Sequence, residues 1–165
     1  MKPSIAIALI ATIGVNTAAL AQQSNRDATG IVRADSRPSA PGPAAFFTGK
    51  VDVRPVVDAQ APGRTSIGTV TFQPGARSNW HTHPAGQALY VTEGCGWTQR
   101  EGGAIVKFCK GDTAYVPAGV KHWHGATSTT TMTHLAITEM VDGKNVEWME
   151  PVSETDYKAG SNSAN

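Results

Sequence analysis

Trp80-His81-Thr82-His83-Pro84-Ala85-Gly86-Gln87 and, further on, His122-Trp123-His124 are the stretches on which the reading of this chain turns. Side chains on an extended strand alternate faces, so His81 and His83 point the same way, and so do His122 and His124. Two imidazoles on one face of an extended backbone make a natural two-ligand unit for a divalent ion. Gln87 keeps the parity of His81 and His83, and Pro84-Ala85-Gly86 supplies a turn that can fold it back toward them. All five histidines fall between positions 81 and 134, the fifth being His134. A single buried histidine is ordinarily a satisfied core residue. Five at strand spacing among Gly and Pro turns point instead to a metal site.

Outward from that stretch, apolar alternation and turn residues recur every eight to twelve residues, as in a sandwich or barrel. Strands are expected at 46–57, 65–73, 87–92, 95–99, 104–109, 112–116, 122–126 and 131–140. Pro74-Gly75, Glu93-Gly94, Gly102-Gly103, Lys110-Gly111 and Pro117 to Gly119 separate them. No sustained helical period occurs between 44 and 150. A short terminal helix is expected over 151–158, with Ser153 as its N-cap. The fold class is therefore all-β, a closed or double-sheet barrel with one short C-terminal helix. Cys95 and Cys109 stand symmetrically about Gly102, so hairpin pairing sets them opposite each other and a disulfide is expected. Two separate thiols, or a facing pair left unbridged, are the alternatives.

Composition narrows the function classes. The chain has 165 residues, 40% of them apolar, which suits one domain with a real core. Its net charge of +1 offers no basic stripe for nucleic acid. No glycine-rich loop precedes a helix, so a nucleotide cofactor is not expected. Residues 1–21 read as an export signal: Lys2 is followed by an uncharged apolar run from Ile5 to Leu20 and the small-x-small pattern Ala19-Leu20-Ala21. An uncleaved anchor is the alternative, because the run is long enough to span a membrane. A periplasmic or secreted product, free of the membrane after cleavage, is the expectation. Residues 22–43 hold three prolines and no apolar period and read as a flexible lead-in, with the domain over 44–158 and a frayed tail over 159–165.

With these residues in view, a family resemblance is plain. Gly75, His81, His83, Gln87 and Gly94 reproduce the first cupin motif in order and spacing, and Gly111, Pro117, Gly119 and His122 the second. The resemblance implies a jelly-roll-like barrel in which His81, His83, Gln87 and His122 hold one divalent metal. Two positions depart from the usual pattern: Gln87 replaces a glutamate, and Ala126 an asparagine. A glutamine ligates through a neutral oxygen, leaves the ion's double charge undiminished and so favours Lewis-acid chemistry. The wider stretches are similar to the small bacterial manganese cupins that act as hydroxynitrile lyases. That likeness implies manganese, with Fe, Ni, Co or Zn as other occupants, and places His134 and His124 in the pocket as catalytic groups. It also makes Gly68, Val70 and Thr138 pocket-lining residues, with Thr138 standing where those lyases carry a glutamine.

Strand parity puts His134, Ala136 and Thr138 on one face and Glu139 on the other. Glu93 has the parity of Gln87 but lies about 20 Å along the strand, so no carboxylate is expected in the pocket. His134 and His124 are then the acid–base candidates. Three functions are expected of such a site. The first is a lyase in which His134 shuttles the proton of a small hydroxy compound, a cyanohydrin by resemblance, during C–C cleavage. The second is a quercetinase-like dioxygenase on the same metal, and the third a non-enzymatic small-ligand binder. Trp80, Trp97, Trp123 and Trp148 read as core or dimer packing. A small-molecule substrate and a homodimer complete the expected partners, the dimer by resemblance alone.

Overall fold

The computed structural model describes residues 30–162. The export signal expected over 1–21 lies outside them, as do residues 22–29 of the expected lead-in. Residues 34–36 form one 3₁₀ turn, closed by the Ser36 amide on the Arg33 carbonyl. No helix among the described residues is long and apolar enough to cross a membrane.

Twelve antiparallel strands follow: β1 Ala40–Pro41, β2 Phe47–Thr48, β3 Val51–Val57, β4 Thr65–Phe72, β5 Arg77–Ser78, β6 His81–Thr82, β7 Gln87–Arg100, β8 Val106–Cys109, β9 Thr113–Val116, β10 His122–Ala126, β11 Met132–Glu139 and β12 Glu147–Trp148. One sheet runs β1-β3-β4-β11-β7, with β9 on the far side of β7. The other runs β7-β10-β5-β2, with β8 on β7 and the β6–β12 pair on β10. Apolar residues of the inner faces meet between the sheets. Phe72, Leu89, Val91 and Met132 are wholly buried there, each stabilising the fold by about 1.5–3 kcal/mol.

Strand β7 belongs to both sheets, which the turn expected at Glu93-Gly94 does not anticipate. Its first half pairs with β11 and β9, its second half with β10 and β8. At the corner the register against β11 slips: Thr133 faces Glu93 but His134 faces Val91, leaving Thr92 as a bulge. The extra residue inverts parity, so Glu93 turns out to solvent instead of sharing the inner face with Gln87. Gly94 takes φ 68°, and a Cβ there would lie 1.8 Å from the Thr131 carbonyl oxygen. Only glycine lets the strand change sheets at this point.

The domain edges differ from the expected ones in both directions. The stretch expected to be flexible up to Pro43 includes β1, which pairs Ala40 with Val53 and Pro41 with Asp52. An edge strand tolerates proline because one side of it needs no donor. At the other end the helix, α1, spans Glu154–Asn162 and so runs past Lys158 into the stretch expected to be a frayed tail. Ser153 caps it as expected: its Oγ accepts the Asp156 amide at 3.0 Å. Tyr157 holds it on the barrel, packing against Trp97 and Trp123 and donating its hydroxyl to the Ala126 carbonyl at 2.9 Å. Cys95 and Cys109 are directly opposed on β7 and β8 and joined in a disulfide.

Candidate metal centre and cavity

Three of the predicted ligands meet because β6 lies antiparallel to β10 with His81 opposite His122. His83 follows two residues later. A turn closed by the Gly86 amide on the His83 carbonyl then swings the chain back, so that Gln87 opens β7 beside them. Gly86 has φ 82°, and a Cβ there would come 2.7 Å from the Val116 carbonyl, so the turn that places Gln87 depends on glycine. The ring centroids of His81 and His122 are 4.2 Å apart, those of His81 and His83 5.1 Å. One nitrogen from each of His81, His83 and His122 lies within 4.8 Å of the others.

The tautomers are set from behind. Nδ1 of His81 donates to the Asn79 carbonyl at 2.9 Å, Nδ1 of His122 to the Val120 carbonyl at 3.0 Å, and Nδ1 of His83 to the Asn145 carbonyl. Each Nε2 is thereby left with its lone pair. Main-chain carbonyls behind the outer nitrogen are the usual support of metal-binding histidines. Burial pushes the pKa of all three down, most for His81, where His122 adds to the effect, and to about 4 for His122. Near neutrality they are uncharged, the state a metal requires. Gln87 Oε1 sits 3.0 Å from His122 Nε2. With Nδ1 holding the proton, that contact sets two acceptors face to face, and His83 Nε2 is buried without any partner. A cation between them satisfies every one of these atoms, so the residues fit a divalent ion.

Beside this cluster lies a cavity of about 300 Å³. His81, His83, Gln87 and His124 line it, as do the predicted Gly68, Val70 and Thr138, and no carboxylate does. His134 is wholly buried behind His124, their ring centroids 4.8 Å apart. Neither ring has a hydrogen-bonded partner at either nitrogen. Burial lowers the pKa of both, with His134 adding to the effect on His124; His134 falls to about 4, the Leu135 backbone opposing the shift.

The remaining wall comes from the two ends of the domain, and sequence reading missed it. Phe46 stacks on Trp148 at 4.8 Å, Phe47 meets the same ring edge-on, and Trp148 packs against His81 at 4.9 Å. Trp148 was expected in core or dimer packing; it walls the cavity. Asn79 ties the two end segments together, giving its amide to the carbonyls of Ala45 and Met149. Asn145 and Val146 complete this wall. The only sequence signal for it was an aromatic pair, Phe46-Phe47, beside a proline-rich stretch.

Comparison with known proteins agrees with this architecture. The cupin domain family matches residues 68–138. An (R)-mandelonitrile lyase of Granulicella tundricola is 53% identical over 128 residues, which are 78% of this chain and 98% of that protein. Among solved structures, a cupin-like protein of Thermotoga maritima superimposes with a TM-score of 0.70 at 38% identity, covering 73% of this chain and 92% of that one. The polyketide cyclase RemF of Streptomyces resistomycificus shares the fold at 18% identity, with a TM-score of 0.56 over 78% of this chain and 89% of its own. With the two-sheet barrel and the three-histidine cluster already in place, these likenesses identify the chain as a member of the cupin family.

Proposed function

We propose that this protein is an exported, manganese-dependent lyase that cleaves a small aromatic cyanohydrin into an aldehyde and cyanide. One observation carries the reading. A single cavity joins the His81, His83 and Gln87 cluster, an uncharged histidine, no carboxylate, and an aromatic wall of Phe46, Phe47 and Trp148. The similarity to a protein named as an (R)-mandelonitrile lyase supports the choice of substrate.

His81, His83 and His122 would hold the ion through Nε2, and Gln87 through Oε1. When bound there, the ion supplies Lewis acidity toward the substrate's hydroxyl oxygen. The protein supplies the rest. The substrate's ring lies against Phe46 and Trp148, which fixes its orientation and keeps water from the reacting carbon. His124, facing the cavity, takes the hydroxyl proton; His134 packs behind it with ring centroids 4.8 Å apart, and because no hydrogen bond joins them the relay to His134 requires one ring to turn. The former O–H electron pair becomes the second bond of the carbonyl. The C–C pair leaves with cyanide, and the proton passes to cyanide to give hydrogen cyanide.

The test is mandelonitrile cleavage, followed as benzaldehyde release by the metal-loaded protein. His134→Ala should lower turnover about 100-fold or more while metal content stays at one per chain. His81→Ala should lose both. Full activity in His134→Ala would end the proton-relay role, and oxygen uptake during turnover would replace the lyase by a dioxygenase. Export predicts a mature N-terminus at Gln22, readable by sequencing. A homodimer is supported by Tyr90 and Tyr115, exposed at 42% and 62% on the adjacent strands β7 and β9, and light scattering tests it.

A further inference from the structure

Thr138 and Asn145, with Ser66 opposite Thr138 on β4, form the polar corner of the cavity outside the histidine cluster. Thr138 is 7% exposed and lies opposite Gln87 across the β11–β7 pair, so the two Cα atoms are neighbours across the ladder. Its Oγ1 accepts Nδ2 of Asn145 at 3.1 Å. A hydroxyl that accepts one bond still has its own O–H to give. That O–H has no acceptor among the described residues, and both side chains line the cavity.

Asn145 reaches this place through a two-residue turn. Val141 and Lys144 exchange hydrogen bonds of 2.7 and 2.9 Å, and Asp142 and Gly143 between them have φ 49° and 78°. The chain leaves the turn at Asn145, whose carbonyl receives Nδ1 of His83 while its amide reaches Thr138. One residue therefore sets both the tautomer of a candidate ligand and the direction of the hydroxyl.

We propose that Thr138, oriented by Asn145, is the hydrogen-bond donor that receives the nitrile arm of the substrate. The choice of a nitrile rests on the lyase reading above. A nitrile nitrogen accepts but does not donate, so one O–H satisfies it. The same nitrogen gains negative charge as cyanide departs, and a donor in a water-poor cavity then binds it more strongly. The hydroxyl oxygen belongs at the histidine cluster, and Thr138 stands across the ladder from Gln87. A substrate whose oxygen and nitrogen are only three bonds apart can reach both. Thr138 is thus a specificity-determining residue, and Asn145 a positioning residue.

The experiment compares phenylacetonitrile, which keeps the ring and nitrile but has no hydroxyl to lose, with ethylbenzene, which keeps only the ring. Dissociation constants for both are measured by calorimetry on the metal-loaded protein, and mandelonitrile turnover is followed in parallel. The wild type should prefer the nitrile by roughly five- to tenfold, the worth of one hydrogen bond. Thr138→Val should abolish the preference without weakening ethylbenzene, and Thr138→Ser should restore it. Asn145→Ala should reduce it while metal content holds, because the carbonyl that supports His83 belongs to the main chain. No preference in the wild type, or one that persists in Thr138→Val, overturns the proposal even if mandelonitrile is cleaved. The preference and its loss without any cleavage would leave the donor site standing and remove the lyase reading instead.

Discussion

Replacing His134 by leucine should make the protein more stable and less active. The imidazole is wholly buried between the Phe72 ring, stacked at 5.7 Å, and His124, with no hydrogen bond to either nitrogen. Each buried polar group left unpaired costs on the order of 1–3 kcal/mol. Leucine has a similar volume, and the imperfect fit of such a swap costs about 1 kcal/mol. With both nitrogens unpaired, the net gain at pH 7.5 should be about 1–5 kcal/mol, or roughly 3–15 °C in Tm. Acid should widen it. With the folded pKa of His134 near 4 and the unfolded value near 6.5, the unfolded chain binds the extra proton between those values. Stability of the wild type therefore falls as pH drops through that window, by about 2 kcal/mol from this residue at pH 5, and the leucine variant escapes that loss. Urea melts of metal-free wild type and variant at pH 7.5 and 5, with turnover measured on loaded protein, make the comparison. Destabilisation by more than about 1 kcal/mol at pH 7.5 would refute the reasoning, since it would mean that the ring nitrogens have partners. Unchanged turnover would mean that the buried imidazole serves no reaction.

Metal removal should lower Tm, and restoring the ion at about 1,000 times its dissociation constant should return about 4 kcal/mol; Gln87→Ala should bind more weakly, as elemental analysis after dialysis would show. Gly94→Ala should cost about 3 kcal/mol or more, because the new Cβ meets the Thr131 carbonyl at a φ that disfavours side chains; denaturant melts or loss of soluble protein report it. Reducing the Cys95–Cys109 disulfide should cost about 3 kcal/mol from the loop it closes, read as a drop in Tm with dithiothreitol.

The metal end of the cavity was legible because its residues obey local rules. His81, His83 and Gln87 share a parity across one turn, and His122 and His124 share one within a strand; alternation paired the residues within each stretch, and the resemblance to the cupin motifs brought the two stretches to one ion. The barrel and the capped helix followed from the same period and from Ser153. Parity counting fails where a residue is added, and the bulge at Thr92 hid both the continuity of β7 and the outward turn of Glu93. Strands β5, β6 and β12, two residues each, are too short to show any alternation. Phe46 lies about a hundred positions from Asn145 and Trp148, and their segments meet only through tertiary contacts, the Asn79 amide and the rings stacked on Trp148. Nothing local marks such a meeting.

That division of labour has an evolutionary consequence. The histidine cluster is written into strands at the middle of the chain, whereas the aromatic wall is written in and beside two short strands toward the domain's ends, β2 and β12. Each of these is two residues long. Substitutions at Phe46, Phe47 or Val146 can therefore reshape what the cavity admits without breaking a long ladder, whereas Trp148, which packs on His81, ties the wall to the cluster. Selection has a separate handle on each: descendants of such a barrel can diverge in what they admit while inheriting one histidine cluster.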